Sequence, residues 1–156
     1  MIQRIQSVFL VLAIISTVLL FFFPIAMYYG DYNTIKFFIF DLKDSVPDSK
    51  PLYNQYFVLP LLLLNLAAAG LSFYALISFK IMRKQMQMIK YAIFSVILLI
   101  AAVFFFYTDH IAKTVNVEAK YEFGVFLPLI TLVFLVLATR SIQRDINLIR
   151  SADRLR

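Results

Sequence analysis

The chain has 156 residues, of which 62% are hydrophobic and 15% charged, against about 45–50% and about 25% in soluble domains, so soluble globular folding is a poor fit. Cysteine is absent, which removes disulfides, thiolate metal centres and thiol nucleophiles. The formal charge of +6 brings nucleic acid to mind as a partner, but the placement of the charges has a topological cause, and no nucleic acid is expected.

Four runs, 8–29, 56–79, 91–107 and 123–139, contain no Asp, Glu, Lys or Arg. An apolar helix of about 20 residues spans about 30 Å of hydrocarbon, so the sequence predicts an all-α membrane protein with a bundle of four transmembrane helices in a single integral membrane domain, 1–156. The spans are placed at about 5–29, 54–79, 90–108 and 123–140, the outer loops at 30–53 and 109–122, the inner loop at 80–89 and the tail at 141–156. The first apolar run is too long for a secretory signal, whose apolar region has about 7–15 residues, and no small-x-small cleavage site follows it. It reads as a retained span, with Pro24 predicted to kink it or end it early.

In the first outer loop, Thr34 to Phe40 is β-branched and aromatic, as strands are, and residues 44–51, with Pro47 and Pro51, are turn-like. The sequence leaves open whether this loop pairs with the alternating segment 114–123 as a small β cap or lies on the membrane surface. Span two opens with Pro60, suited to a first helical turn. It carries Asn65, the one amide well inside a span, and Ala68 and Ser72, four apart on one face, a spacing that lets helices approach closely in lipid. Asn65, Ala68 and Ser72 are therefore the candidate packing residues, with Ala101 and Ala102 of span three as partners. An interhelical hydrogen bond for Asn65 stands beside a place on a substrate path.

The inner loop holds Lys80, Arg83, Lys84 and no acid before Lys90, and the tail holds Arg140, Arg144, Arg150, Arg154 and Arg156 against Asp145 and Asp153. With Arg4, ten of the 15 Lys and Arg residues fall on one side. Cytoplasmic loops carry this excess, which predicts both termini in the cytoplasm. These side chains, Arg140, Arg144, Arg150, Arg154, Arg156, Lys80, Arg83 and Lys84, are the candidate contacts for lipid headgroups or for a partner. The tail continues span four without a breaker, with Ile142, Ile146 and Ile149 on one face, and is predicted to extend as a helix. Tyr28, Tyr29, Tyr53, Tyr56, Tyr91, Tyr107 and Tyr121 lie near span ends, as headgroup-level anchors do.

Chemistry is sparse. His110 beside Asp109 has no second His and no matching carboxylate spacing for a metal or an acid–base pair, and with only three Gly there is little scope for a phosphate cradle. No catalytic residue, cofactor or metal is assigned, and no ionisable residue lies within a span as pumps and voltage sensors require.

The opening Met1-Ile2-Gln3-Arg4-Ile5-Gln6, the proline-terminated first span and the ending Leu148-Ile149-Arg150-Ser151-Ala152-Asp153-Arg154-Leu155-Arg156 resemble those of a family of uncharacterised four-span inner-membrane proteins of the Bacteroidetes that carries a domain-of-unknown-function label. The resemblance runs along the whole chain. It implies a location in the bacterial inner membrane and the four-span architecture, and no activity. The functional expectation is a non-enzymatic accessory or assembly subunit of a membrane complex. It would have membrane lipids and either a membrane-protein partner or further copies of itself as contacts. The alternative is a small homo-oligomeric transporter or lipid-handling protein.

Overall fold

A computed structural model describes residues 3–30, 34–44 and 55–154. The turn-like stretch expected at 44–51, apart from Asp44, and the anchor at Tyr53 lie outside the described residues, as does Arg156. The elements run α1 (Gln3–Leu19), β1 (Ala26–Tyr29), β2 (Thr34–Phe37), β3 (Leu42–Asp44), α2 (Leu59–Ile77), α3 (Met82–Ala101), a π-helical segment (Ala102–Tyr107), α4 (Thr108–Val115), β4 (Ala119–Tyr121) and α5 (Phe126–Arg154). Helices α1, α2, α3 and α5 close a ring: α1 packs on α2 and α5, and α3 packs on α2 and α5.

The seam of each helix follows one spacing. Buried positions are Gln6, Leu10, Ala13, Thr17 and Leu20 along α1 and the turn after it; Leu61, Asn65, Ala68, Ser72 and Ala75 on α2; Gln85, Ile89, Ala92, Val96 and Leu99 on α3; Leu127, Thr131, Leu135, Ala138, Ile142 and Asp145 on α5. Steps of four and three give a mean period near 3.5, the repeat of helices that wrap around one another with a left-handed twist. Small and polar residues fill much of this seam, while Ile15, Val18, Phe22, Leu63, Leu66, Phe73, Phe94, Ile97, Phe105, Phe106 and Val133 are exposed. A water-soluble surface rarely carries apolar patches of this extent. Among the described residues three helices, Leu59–Ile77, Met82–Val115 and Phe123–Ile149, are long and apolar enough to cross a membrane, and Ile5–Leu19 is a shorter apolar helix. The chain is a membrane protein by these properties.

The first apolar run divides in two. Helix α1 stops at Leu19, and the last part of the span expected at 5–29 is strand β1. Pro24 explains the break, because its ring pushes the preceding residue out of the helical region; the chain instead turns through bonds from the Phe21 N–H to the Val18 carbonyl and from the Phe22 N–H to the Leu19 carbonyl. Strand β1 then becomes an inner strand of a four-stranded antiparallel sheet of order β3-β2-β1-β4. The two loops thus share one sheet without touching as neighbours, since β1 lies between β2 and β4. Its inner face, Ala26, Tyr28, Ile35 and Phe37, is buried with Leu20, Ile25, Leu99 and Val103, so the sheet caps one end of the ring.

Helical structure extends beyond the expected spans on both sides of the third. Met82 to Ile89, expected as inner loop, is the start of α3, because Arg83, Lys84, Gln85, Met86 and Met88 are good helix formers and no Gly or Pro interrupts them. At the other end, helix continues to Val115 and closes on Asn116 in the left-handed conformation (φ 54°), a residue that tolerates this C-terminal position. Only Ala119–Tyr121 of the segment expected to alternate as strand is strand.

The π-helical segment resets the buried face of α3. A π turn holds one residue more than an α turn, and after Val103 the buried positions are Tyr107, Thr108 and Ile111, while Phe106 and His110 are exposed. The Thr108 hydroxyl donates to the Val103 carbonyl at 2.7 Å. Tyr107 Oη donates to the Phe57 carbonyl at 2.8 Å and Tyr28 Oη to the Thr108 carbonyl at 3.3 Å. Tyr28 and Tyr107 are therefore core residues and not headgroup anchors, Tyr28 joining the sheet to the start of α4 and Tyr107 joining the π segment to the chain just before α2. Tyr29, Tyr56, Tyr91 and Tyr121 are exposed.

Candidate interaction surface at the charged end

At the end opposite the sheet, α5 runs without interruption from its apolar stretch into its charged one. Ile142 is fully buried, Ile146 packs against the same core, and Leu148 and Ile149 are about half exposed. The apolar stripe of the tail therefore divides into an inner part that closes the bundle and an outer part that does not. Ile149 lines a shallow hollow with Ile146, Met82, Ile81 and Arg83 at the turn between α2 and α3, where Ile81 is also exposed.

On the other flank, α1 and α5 bound a groove of about 560 Å³. Ile5 and Phe9 line it from α1, and Leu137, Arg140, Ser141, Arg144, Asp145 and Leu148 from α5. Arg140 and Arg144, one turn apart, are exposed. Asp145 is almost fully buried and accepts a hydrogen bond from the Gln6 amide, so the first helix is tied to the last at the charged end. A carboxylate hydrogen bond of this kind contributes about 1.5–3 kcal/mol. The tail acids look in the sequence like simple partners for the arginines, which hides this burial. Its signal is the seam: Asp145 follows Ile142 by three residues and Ala138 by seven. Gln85, on the α3 seam, is 1% exposed, and its carbonyl oxygen has no hydrogen-bond partner among the described residues.

Of the other sequence-predicted contacts, Lys84 places its ammonium 5.3 Å from the centre of the Tyr74 ring, within cation–π range. Arg83 is exposed beside Ile81. Arg150 and Arg154 fall on the backbone of α5, and Lys80 in the 3₁₀ turn Ser78–Lys80; nothing is described of these three side chains.

The packing residues behave structurally. Asn65 Nδ2 donates to the Thr17 carbonyl at 3.2 Å. That carbonyl lies in the last turn of α1, where helical acceptors lack partners, and the Phe21 N–H has turned to Val18 instead. Ser95 Oγ reaches from α3 to the Leu64 carbonyl at 2.9 Å, so α1, α2 and α3 are stitched at one level. Ala68 and Ser72 are fully buried, and Ser72 bonds back to the Ala68 carbonyl at 2.7 Å. Ala68 shares its apolar cluster with Ala13, Ala92 and Val96; Ala102 packs in the other cluster, beneath the sheet. The expected partnership with Ala101 and Ala102 is corrected by about two turns, because the antiparallel α2–α3 hairpin turns at Ser78–Lys80 and not after a longer loop.

Near the sheet, Asp109 pairs with Lys113 at 2.6 Å in an exposed i,i+4 bridge, and His110 stacks on Phe106 at 5.9 Å. Among the described residues no group of three or more His, Cys, Asp or Glu is placed to hold a metal ion. Gly124, which the sequence did not single out, lies in the turn just before α5 and against Pro24: its N–H bonds the Pro24 carbonyl at 3.0 Å, and a Cβ there would lie 2.3 Å from that oxygen.

Comparison with curated proteins and with solved structures gives no significant match. Residues 2–155, nearly the whole chain, match the family described as Domain of unknown function (DUF4293), and the chain belongs to that family.

Proposed function

We propose that this protein is a non-enzymatic accessory or assembly subunit of a membrane complex, held in a bacterial inner membrane by four spans with both termini in the cytoplasm. The observation that carries the reading is the set of exposed apolar side chains at the charged end, Ile81, Leu148 and Ile149. They lie beyond the uncharged runs, among Arg83, Arg144 and Asn147, left open by the bundle, and a partner's surface would cover them. The orientation is supported by the Lys and Arg excess at this end. Helix α1 is about 25 Å long at 1.5 Å per residue, and with the turn after it this supports a first span. Membership of the inner-membrane group of the Bacteroidetes is supported by the terminal motifs.

The transporter alternative drew on Asn65, whose amide is taken up by the Thr17 carbonyl, and the subunit reading is favoured for that reason. Affinity purification from native membranes in mild detergent tests it. The wild-type chain is expected to bring down a stoichiometric membrane-protein partner, and Ile81→Gln/Ile149→Gln is expected to lose it while folding normally. A chain that purifies alone in both forms refutes the reading.

A further inference from the structure

We infer that the groove between α1 and α5 is a binding site for one anionic phospholipid, its phosphate held by Arg140 and Arg144 and an acyl chain lying against Phe9 and Leu137. The inference deepens the proposed function, since it rests on the same membrane placement of the charged end.

Depth comes first. Residues 123–139 carry no charge and Arg140 follows at once, so the two arginines stand where hydrocarbon gives way to headgroups. Leu137 is nearly one turn deeper than Arg140, and Phe9 is one turn deeper than Ile5; both line the groove. Apolar walls below and guanidinium groups above match the order of groups along a phospholipid. Charge is the second argument. The acid that shares the groove, Asp145, is engaged by the Gln6 amide, and neither arginine forms an ion pair among the described residues. Two guanidinium groups one helical turn apart present paired donors that suit phosphate oxygens. The neutral Gln6 thus satisfies the carboxylate without consuming the cations, whose charge remains for a ligand.

The full-length chain is reconstituted in nanodiscs of phosphatidylcholine doped with phosphatidylglycerol, extracted in mild detergent and examined by native mass spectrometry. The wild-type chain is expected to retain one phosphatidylglycerol, and Arg140→Gln/Arg144→Gln to lower its retention relative to phosphatidylcholine by about tenfold or more, as the loss of two near-surface cations implies. Leu137→Trp, which fills the groove and keeps the charge, is expected to lower it as well. Lys90→Gln removes a cation outside the groove and is expected to leave it unchanged. An equal loss in that control would mean diffuse attraction to the basic rim and would overturn the site. Unchanged retention in the arginine variant or in Leu137→Trp overturns it too, as does displacement of the lipid by inorganic phosphate. Capture of the partner by the Ile81 and Ile149 surface is read separately, so the lipid site can fail while the subunit reading stands.

Discussion

Gly124 offers a strong test of how the sheet is joined to the helices. Replacing it by Ala places a Cβ 2.3 Å from the Pro24 carbonyl oxygen, 2.7 Å from the Pro24 carbonyl carbon and 2.8 Å from the Phe23 oxygen. These are backbone atoms, so no side chain can rotate away. Ordinary contacts lie at about 3.5 Å, and the two backbones must separate by roughly 1 Å. That separation stretches the bond from the Gly124 N–H to the Pro24 carbonyl and the neighbouring one from the Glu122 N–H to the Ile25 carbonyl, each 3.0 Å long. Two hydrogen bonds at about 1 kcal/mol each and about 1–3 kcal/mol of overpacking give a loss of about 3–5 kcal/mol. The assay is reversible unfolding in mixed micelles, titrating with dodecyl sulfate and following helical circular dichroism. Gly70→Ala is the internal control: nothing lies within 4 Å of a Cβ there, and helix propensity makes it neutral to about 1 kcal/mol stabilising. A Gly124→Ala protein within about 0.5 kcal/mol of wild type would refute the close approach of Pro24 and Gly124.

Asn65→Leu removes the donor to the Thr17 carbonyl and is expected to cost about 1 kcal/mol in the same titration; no loss would mean that the end of α1 is capped by another group. Gln6→Leu leaves the buried Asp145 carboxylate without its donor and is expected to cost about 1–3 kcal/mol, whereas Gln6→Leu/Asp145→Leu is expected to recover most of it. Additive losses in that double-mutant cycle would show that the two groups do not interact. For orientation, the natural absence of cysteine allows single-thiol labelling: Ser151→Cys is expected to react with a membrane-impermeant maleimide only from the cytoplasmic side and Glu118→Cys only from the other. Labelling of both from one side would overturn the proposed topology.

Much of the architecture was legible because lipid imposes a simple rule on sequence. Uncharged length marks helices, and the unbroken Arg140-to-Arg150 stretch reads as a helical tail. Strand β1 was not legible: Ala26, Met27, Tyr28 and Tyr29 continue the hydrophobicity of α1 without a change of composition, and Pro24 alone marks the break. The π segment was equally silent, since six apolar residues, Ala102 to Tyr107, fit either helical pitch, and the choice is made by the tertiary bonds of Tyr28 and Tyr107. At the candidate site the arginines stood out by charge, whereas the roles of Gln6 and Asp145 depend on two helices whose partners are far apart in sequence. A reading for small and polar residues at steps of four and three would have found both, because in lipid the less hydrophobic face is the inner one.

The Gln6–Asp145 contact has a bearing on assembly order. It joins residues 139 apart in the chain, and the strand that completes the other side of β1, β4, is also made late. The first helix therefore leaves the ribosome long before its principal neighbour exists. Until β4 and α5 are made, one edge of β1 and one flank of α1 stand open, and the Gln6 amide has no acceptor. Closure of the ring is thus a late event of biogenesis, and a chain truncated before Asp145 would present an unsatisfied Gln6 and an open seam, features by which membrane quality control could tell an unfinished molecule from a finished one.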